Sequence, residues 1–545
     1  MKYDMLIKGG QVIDVTDQSD LYRPWTILDI GIKGERIVAV GHLDSSEAAN
    51  VIDASGLAVS AGFIDVHTHS DTYLLVNPKA ESKIRQGVTT EVIGSCGLSA
   101  APIGNSYIPQ KSILSDCVAY EWSTMDEYLK RLEEMKTSVN VVPLVGHNNI
   151  RGSVMGYDTR HASEQQMHHM GELLEEAFDA GVWGMSSGLN MPPGASTETD
   201  ELIALCSMVA RQGGVYHTHI RGQGDRLLTA VTEAIETAKQ SGVPLHIHHH
   251  KGMGDANAPK VEHTLAMFDE EISCGRDVTL DLYPYLAGQG GLGMFLPIWV
   301  HEGGISSLIK RLQDPKLRKI IKRQMVEPEL LTGYQSYTRE LGITKCWDHI
   351  LICDITSEQN QYAVGKTIGE ILPRDKDPLD FIFDLLIQEQ GDVPVVIPDL
   401  IDMDDRYFQM VLQYPNTMFG SDGYTLAAEG PLSRGNPHPR SYGTFPRILG
   451  TYVRNKRWFS LKEAIRKMTY LPAVHLGIKD RGLLKEGMYA DVVIFNPETV
   501  IDQSTFSNPH QYPLGIEYVI VNGSLTIEKG EHSGALNGKI LRKGQ

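Results

Sequence analysis

Gly62-Phe63-Ile64-Asp65-Val66-His67-Thr68-His69-Ser70-Asp71 is an apolar run that ends in His-x-His. Side chains two residues apart on a strand point to the same side, so His67 and His69 can converge on one ion from a strand end. The pattern returns downstream. Glu91-Val92-Ile93-Gly94-Ser95-Cys96-Gly97 is a β-branched run that stops at a cysteine between glycines, and a thiolate there is a strong zinc ligand able to bridge two ions. Tyr216-His217-Thr218-His219 and His246-Ile247-His248-His249-His250-Lys251 each close a strand-like run with imidazoles. Parity leaves the ligands open here: His217 and His219 share one face, His246, His248 and His250 share another, and His249 lies with Leu245, Ile247 and Lys251. Thr417-Met418-Phe419-Gly420-Ser421-Asp422-Gly423 delivers a carboxylate into a glycine-bounded turn. Singly, each is an ordinary strand end or core side chain. Together, five strand ends carry His, His, Cys, His, His and Asp.

Outward from these motifs, residues 61–479 alternate apolar strand, polar loop and amphipathic helix, as in Val215–His219, then Arg226–Ile235, then the strand opening at Pro244. That rhythm predicts a parallel sheet in the α/β class, a (β/α)8 TIM-type barrel whose C-terminal mouth would gather every one of those strand ends. Around 286–347 the rhythm breaks into glycine-rich and then charged sequence, including Lys316-Leu317-Arg318-Lys319-Ile320-Ile321-Lys322-Arg323, which predicts an inserted subdomain after a barrel strand. Residues 1–60 and 480–545 alternate short β-type runs with turns, so both chain ends are expected to build one small β-sandwich.

A chain of 545 residues, 41% hydrophobic and 22% charged, suits one large barrel with an accessory domain. Its net charge of −18 argues against nucleic acid or an anionic membrane as partner and favours small molecules. The chain reaches Gly9-Gly10 before a signal-type apolar core forms, and no uncharged apolar run long enough for a membrane span follows, so a cytoplasmic location is expected. The six cysteines are scattered, unlike a disulfide-stapled secreted domain, and are expected to be mostly reduced. Oligomeric state is left open, a homo-oligomer included.

The ordered ligand series resembles the amidohydrolase superfamily, and specifically its N-acyl-D-amino-acid deacylase (D-aminoacylase) branch. The resemblance covers nearly the whole chain, including Gly94-Ser95-Cys96-Gly97-Leu98-Ser99, Asp281-Leu282-Tyr283-Pro284-Tyr285, Pro437-His438-Pro439-Arg440 and Gly487-Met488-Tyr489-Ala490-Asp491. It implies zinc-dependent hydrolysis of the amide bond of N-acyl-D-amino acids, giving a carboxylate and a free D-amino acid. By the same resemblance, Cys96, His219 and His249 hold a tight zinc; His67 and His69, with Cys96 and Asp422, form a second, weaker site; Asp422 moves the proton; and Lys251, Tyr283 and Arg440 contact the substrate carboxylate. Those three side chains suit an anion. Departures occur at His248, where the family usually has serine, and at Gln289, also usually serine. The rival readings are a cyclic-amide hydrolase of the hydantoinase or dihydroorotase kind and a non-catalytic binding protein of the same fold. The first generally uses a bridging carboxylated lysine, and Ala180–Gly188 contains none; the second typically loses ligands.

Overall fold

The computed structural model describes residues 2–16, 25–104, 117–327, 346–399 and 405–544. The strands that carry the motifs are β1 (Phe63–Asp65), β2 (Val88–Ile93), β3 (Asn140–Pro143, continued by Val145–Gly146), β4 (Gly184–Gly188), β5 (Val215–His219), β6 (Leu245–Ile247), β7 (Val278–Leu282) and β8 (Thr417–Phe419). Each pairs in parallel with the next in chain order. The ring closes just beyond β1 and β8, where Thr68 bridges Gly423 in parallel, His69 N–H donates to Gly423 O at 2.9 Å and Asp422 N–H donates to His67 O at 2.8 Å. Eight parallel strands closed in chain order make the (β/α)8 barrel.

Alternation along the strands decides what faces where. Met185, Tyr216, Leu245, Ile247 and Leu280 join the core that covers Leu174, Leu205, Val231 and Leu265 on the surrounding helices. The helices are locally encoded. Helix Glu164–Asp179 starts in a reciprocal cap between Ser163 and Gln166, and helix Leu227–Ser241 ends at Gly242 in the left-handed conformation. The other strand face turns His217, His246, Thr279 and Asp281 inward, and all four are buried.

Both chain ends enter one sheet, nine-stranded among the described residues, in which Ala58–Ala61 pairs antiparallel with Val492–Phe495. Its core combines Ile7, Ile30, Ile32 and Ile37 with Val492, Ile494 and Ile520.

The excursion between β7 and β8 is longer than the sequence rhythm indicates. It runs past Trp347 through Pro398, as an antiparallel sheet of Ala287–Gly291, Leu351–Ile352 and Pro394–Pro398 with helices Ile305–Gln313, Pro315–Val326 and Pro378–Gln388. Residues 328–345 of the expected stretch lie outside the described residues. Helix Pro378–Gln388 and the strand after it read in sequence like one more barrel unit, but their side chains fill a separate core with Phe295, Leu312 and Ile321. The charged run belongs to helix Pro315–Val326, where Arg318 and Lys322 pair with Asp380 on helix Pro378–Gln388. No helix among the described residues is long and apolar enough to cross a membrane.

Candidate metal centre

The six predicted donors all reach the barrel mouth. His67 Nε2 lies 3.3 Å from Cys96 Sγ and 3.3 Å from Asp422 Oδ1, and His69 Nε2 lies 3.0 Å from the same Asp422 oxygen. His249 Nε2 lies 3.6 Å from Cys96 Sγ, and its ring centre is 4.3 Å from that of His219. Donor atoms of His67, His69, Cys96 and Asp422 fall within 4.8 Å of one another, and so do those of Cys96, His219 and His249. Cys96 is common to both sets.

Local backbone explains this convergence. Cys96, His249 and Asp422 have φ of 52°, 35° and 50°, in the left-handed region that non-glycine residues seldom adopt. Gly94 and Gly97 let the chain tuck Cys96 inward: a Cβ on Gly94 would sit 2.1 Å from Leu144 O, and one on Gly97 2.3 Å from Asn148 Oδ1. Ser186 on β4, the strand without a lysine, accepts from Gly97 N–H at 2.9 Å and so supports the Cys96 loop.

The donor set fits zinc. Tetrahedral zinc with nitrogen at about 2.0 Å and sulfur at about 2.3 Å places neighbouring ligand atoms about 3.3–3.6 Å apart, the spacing found around Cys96. Burial alone would push the Cys96 thiol up, but His67 and His248 outweigh it and hold the thiol well below its usual range. Burial likewise opposes ionisation of Asp422, yet Arg440 and His67 keep its carboxyl well below the carboxylate range. His69 is raised to about 9, because its bonds to Asp422 and Cys96 overcome the effect of burial. The charges are those of a thiolate and a carboxylate held for a cation.

Several supporting residues are not among the six predicted donors. Asp281 on β7 lies 3.1 Å from His67 Nδ1, 2.8 Å from His246 Nε2, and accepts from His249 N–H at 2.9 Å. It thereby turns the Nε2 lone pair of His67 toward the centre. Gln223 Nε2 lies 2.8 Å from His249 Nδ1. His248 places Nδ1 3.5 Å from Cys96 Sγ and stacks on His67 with ring centres 3.9 Å apart. His250 turns away to Thr264 Oγ1 at 2.8 Å. Parity could not choose His249, because β6 ends at Ile247 and the chain then turns.

Lys251 and Tyr283 are hydrogen-bonded, Lys251 Nζ lies 3.0 Å from Asp399 Oδ1, and Arg440 Nη1 donates to Asp422 Oδ2 at 2.6 Å. Lys251 and Arg440 both approach the Tyr283 ring, at 4.6 and 4.8 Å from its centre. Asp399, at the end of the insertion, is a partner the sequence did not announce. Above these groups opens a cavity of about 390 Å³, with Cys96, His219, Asp422 and Arg440 in its lining and Gln289, Met294, Ile305, Asp354 and Asp392 of the insertion forming a wall.

The Amidohydrolase family matches residues 50–318 and 416–527, so its gap falls mainly on the insertion. A D-aminoacylase of Alcaligenes xylosoxydans xylosoxydans is 34% identical over 545 residues, covering 99% of this chain and 98% of that protein. An N-acyl-D-aspartate deacylase of the same organism is 34% identical over 548 residues, covering 99% and 95%. The crystal structure of an N-acyl-D-glutamate deacylase from Bordetella bronchiseptica, complexed with zinc and a phosphonate mimic of the tetrahedral intermediate, matches with a TM-score of 0.81 at 30% identity, over 99% of this chain and 100% of that one.

Proposed function

This chain belongs to the amidohydrolase family, and we propose that it hydrolyses the amide bond of N-acyl-D-amino acids with zinc held by Cys96, His219 and His249 and by His67, His69, Cys96 and Asp422. The observation that carries this reading is Cys96 standing in both donor sets beside the Lys251, Tyr283 and Arg440 group, in a chain aligned end to end with deacylases of acyl-D-amino acids. The D preference rests on those relatives.

Zinc in that centre supplies Lewis acidity, lowering the pKa of water toward neutrality and polarising a carbonyl. The chain's own groups do the rest. Arg440, Lys251 and Tyr283 grip the substrate carboxylate and so fix the scissile carbonyl over the centre. Asp422 stays ionised beside Arg440, takes the proton of the attacking water and passes it to the nitrogen as the C–N bond breaks. The amine then departs neutral, and the acid made by the new C–O bond gives up the water's second proton to solvent as it leaves as a carboxylate. Asp281 holds His67 in one tautomer throughout.

Identity does not separate the relatives' substrates, since a D-aminoacylase and an N-acyl-D-aspartate deacylase are both 34% identical to the chain. The cavity does. Its Asp354 and Asp392 are acidic, Asp392 being pushed up to about 6 by burial and by Asp354, while Arg434 bonds to Asp354 and Arg440 to Asp422. A second carboxylate on the substrate therefore meets like charge, and neutral side chains are favoured. The test is a kcat/KM screen of zinc-loaded protein over N-acetyl-D- and L-amino acids. Neutral D substrates should exceed D-aspartate and D-glutamate derivatives by about 100-fold, the equivalent of about 2.7 kcal/mol. Hydrolysis of no acyl-D-amino acid would end the reading; preference for acidic ones would end only its side-chain part.

A further inference from the structure

Inside the barrel, next to the Cys96 centre, lies a group of imidazoles that the deacylase chemistry leaves unused: His217 on β5, His246 on β6 and His248 just past it. All three are wholly buried, and each offers a ring nitrogen within 4.8 Å of the others.

The surrounding hydrogen bonds fix where their protons sit. Asp281 is an acceptor, so His246 carries its proton on Nε2, 2.8 Å from Asp281 Oδ2, and its Nδ1 accepts from the Thr279 hydroxyl at 2.8 Å. Thr279 Oγ1, whose proton serves His246 at 2.8 Å in preference to Leu245 O at 3.4 Å, accepts from His475 Nδ1 at 3.2 Å. His475 Nε2 is then a lone pair that accepts from His217 Nε2 at 3.1 Å. This leaves His217 Nδ1 as a lone pair, and that atom has no hydrogen-bond partner. From the other side, His248 Nδ1 donates to Cys96 Sγ at 3.5 Å, so His248 Nε2 is also a lone pair, and it too has no partner. Two unprotonated imidazole nitrogens without a donor, fully buried in one group, carry a desolvation cost that a Lewis acid removes.

We infer that His217, His246 and His248 bind a further late first-row divalent ion, zinc in the first instance, in addition to the ions of the Cys96 centre. An imidazole-only set suits zinc, cobalt, nickel and copper, and excludes calcium and magnesium, which require oxygen. His246 joins by exchanging the Thr279 hydroxyl for the ion at Nδ1, while its Nε2–H stays on Asp281, whose negative charge lies one bond away from the ion's ligand. His248 faces both sites, one nitrogen on the Cys96 sulfur and the other on the new ion.

The test is metal counting on full-length protein, stripped with a chelator and titrated with Zn2+ and, separately, Co2+. Wild type should saturate with one ion per chain more than His217→Asn, and its cobalt form should show visible d–d absorption beyond that which accompanies the near-ultraviolet thiolate band of the Cys96 centre. Cys96→Ala should lose the thiolate band and retain a cobalt ion. Equal ion counts in wild type and folded His217→Asn would overturn the inference, the two lone pairs then being satisfied by a water. Should His217→Asn fail to fold, anomalous diffraction from wild-type crystals at the zinc edge decides: a peak among the three rings supports the site and its absence removes it.

Discussion

At the scale of single residues, the centre depends on backbone that most residues avoid. Cys96, His249 and Asp422 each hold a left-handed φ, at a cost of about 1–3 kcal/mol apiece that the surrounding fold must offset. Asp422→Asn should therefore preserve the site's shape and the metal at Cys96, His219 and His249 but lower kcat by about 1,000-fold or more, because the amide cannot relay a proton; metal analysis beside kcat checks this, and near-normal turnover would remove the role. Asp281→Asn should weaken zinc affinity by about 10–100-fold in chelator competition, since an amide cannot accept both from His246 at one oxygen position and from the His249 N–H at the other, as the carboxylate does. Part of this level was readable from the sequence, where His67, His69, Cys96 and Asp422 stand at the ends of apolar runs, while parity left His219 undistinguished from His217 and only the family resemblance chose between them. His249 was not singled out by periodicity, because it stands in a turn after β6, and Asp281 opens a segment that carries the family resemblance, yet mid-strand it shows no pattern that marks it as the partner of His67 and His246.

At the scale of elements, the barrel strands and the turns just beyond them supply the candidate metal donors found among the described residues, and the insertion supplies a wall of the cavity. The two can be separated by mutation. Phe383, wholly buried in the insertion's own core, should cost about 3–5 kcal/mol of that subdomain's stability when changed to alanine. KM should rise as the cavity wall loosens, while zinc content at saturation stays that of wild type; loss of metal in a folded Phe383→Ala would contradict the division. The rhythm of strand and helix disclosed the barrel but misplaced the end of the insertion, for a physical reason. Pro378–Gln388 and Pro394–Pro398 have the composition of a barrel unit, and it is the antiparallel pairing of Pro394–Pro398 with Ala287–Gly291 and Leu351–Ile352, and the separate core both elements fill, that assigns them elsewhere. Pairing partners so distant in sequence leave no local signature.

At the scale of the whole molecule, ions held by the two donor sets that share Cys96 would tie the ends of β1, β2 and β8 to each other and to those of β5 and β6, so stripping the metal should loosen the barrel as a unit. Metal at 1,000 times its dissociation constant adds about 4 kcal/mol. Calorimetry with and without chelator should show a lower Tm for the stripped protein, restored by zinc; an unmoved Tm would argue against a metal that bridges strands. One further consequence comes from the pairing of Ala58–Ala61 with Val492–Phe495. The His-x-His segment leaves the ribosome well before Val492–Phe495, so the strand that flanks it, Ala58–Ala61, has no such neighbour until that later strand is made. A polypeptide released before Val492–Phe495 would thus display its first ligands without the scaffold that registers them, and full assembly of the centre waits on translation of that strand.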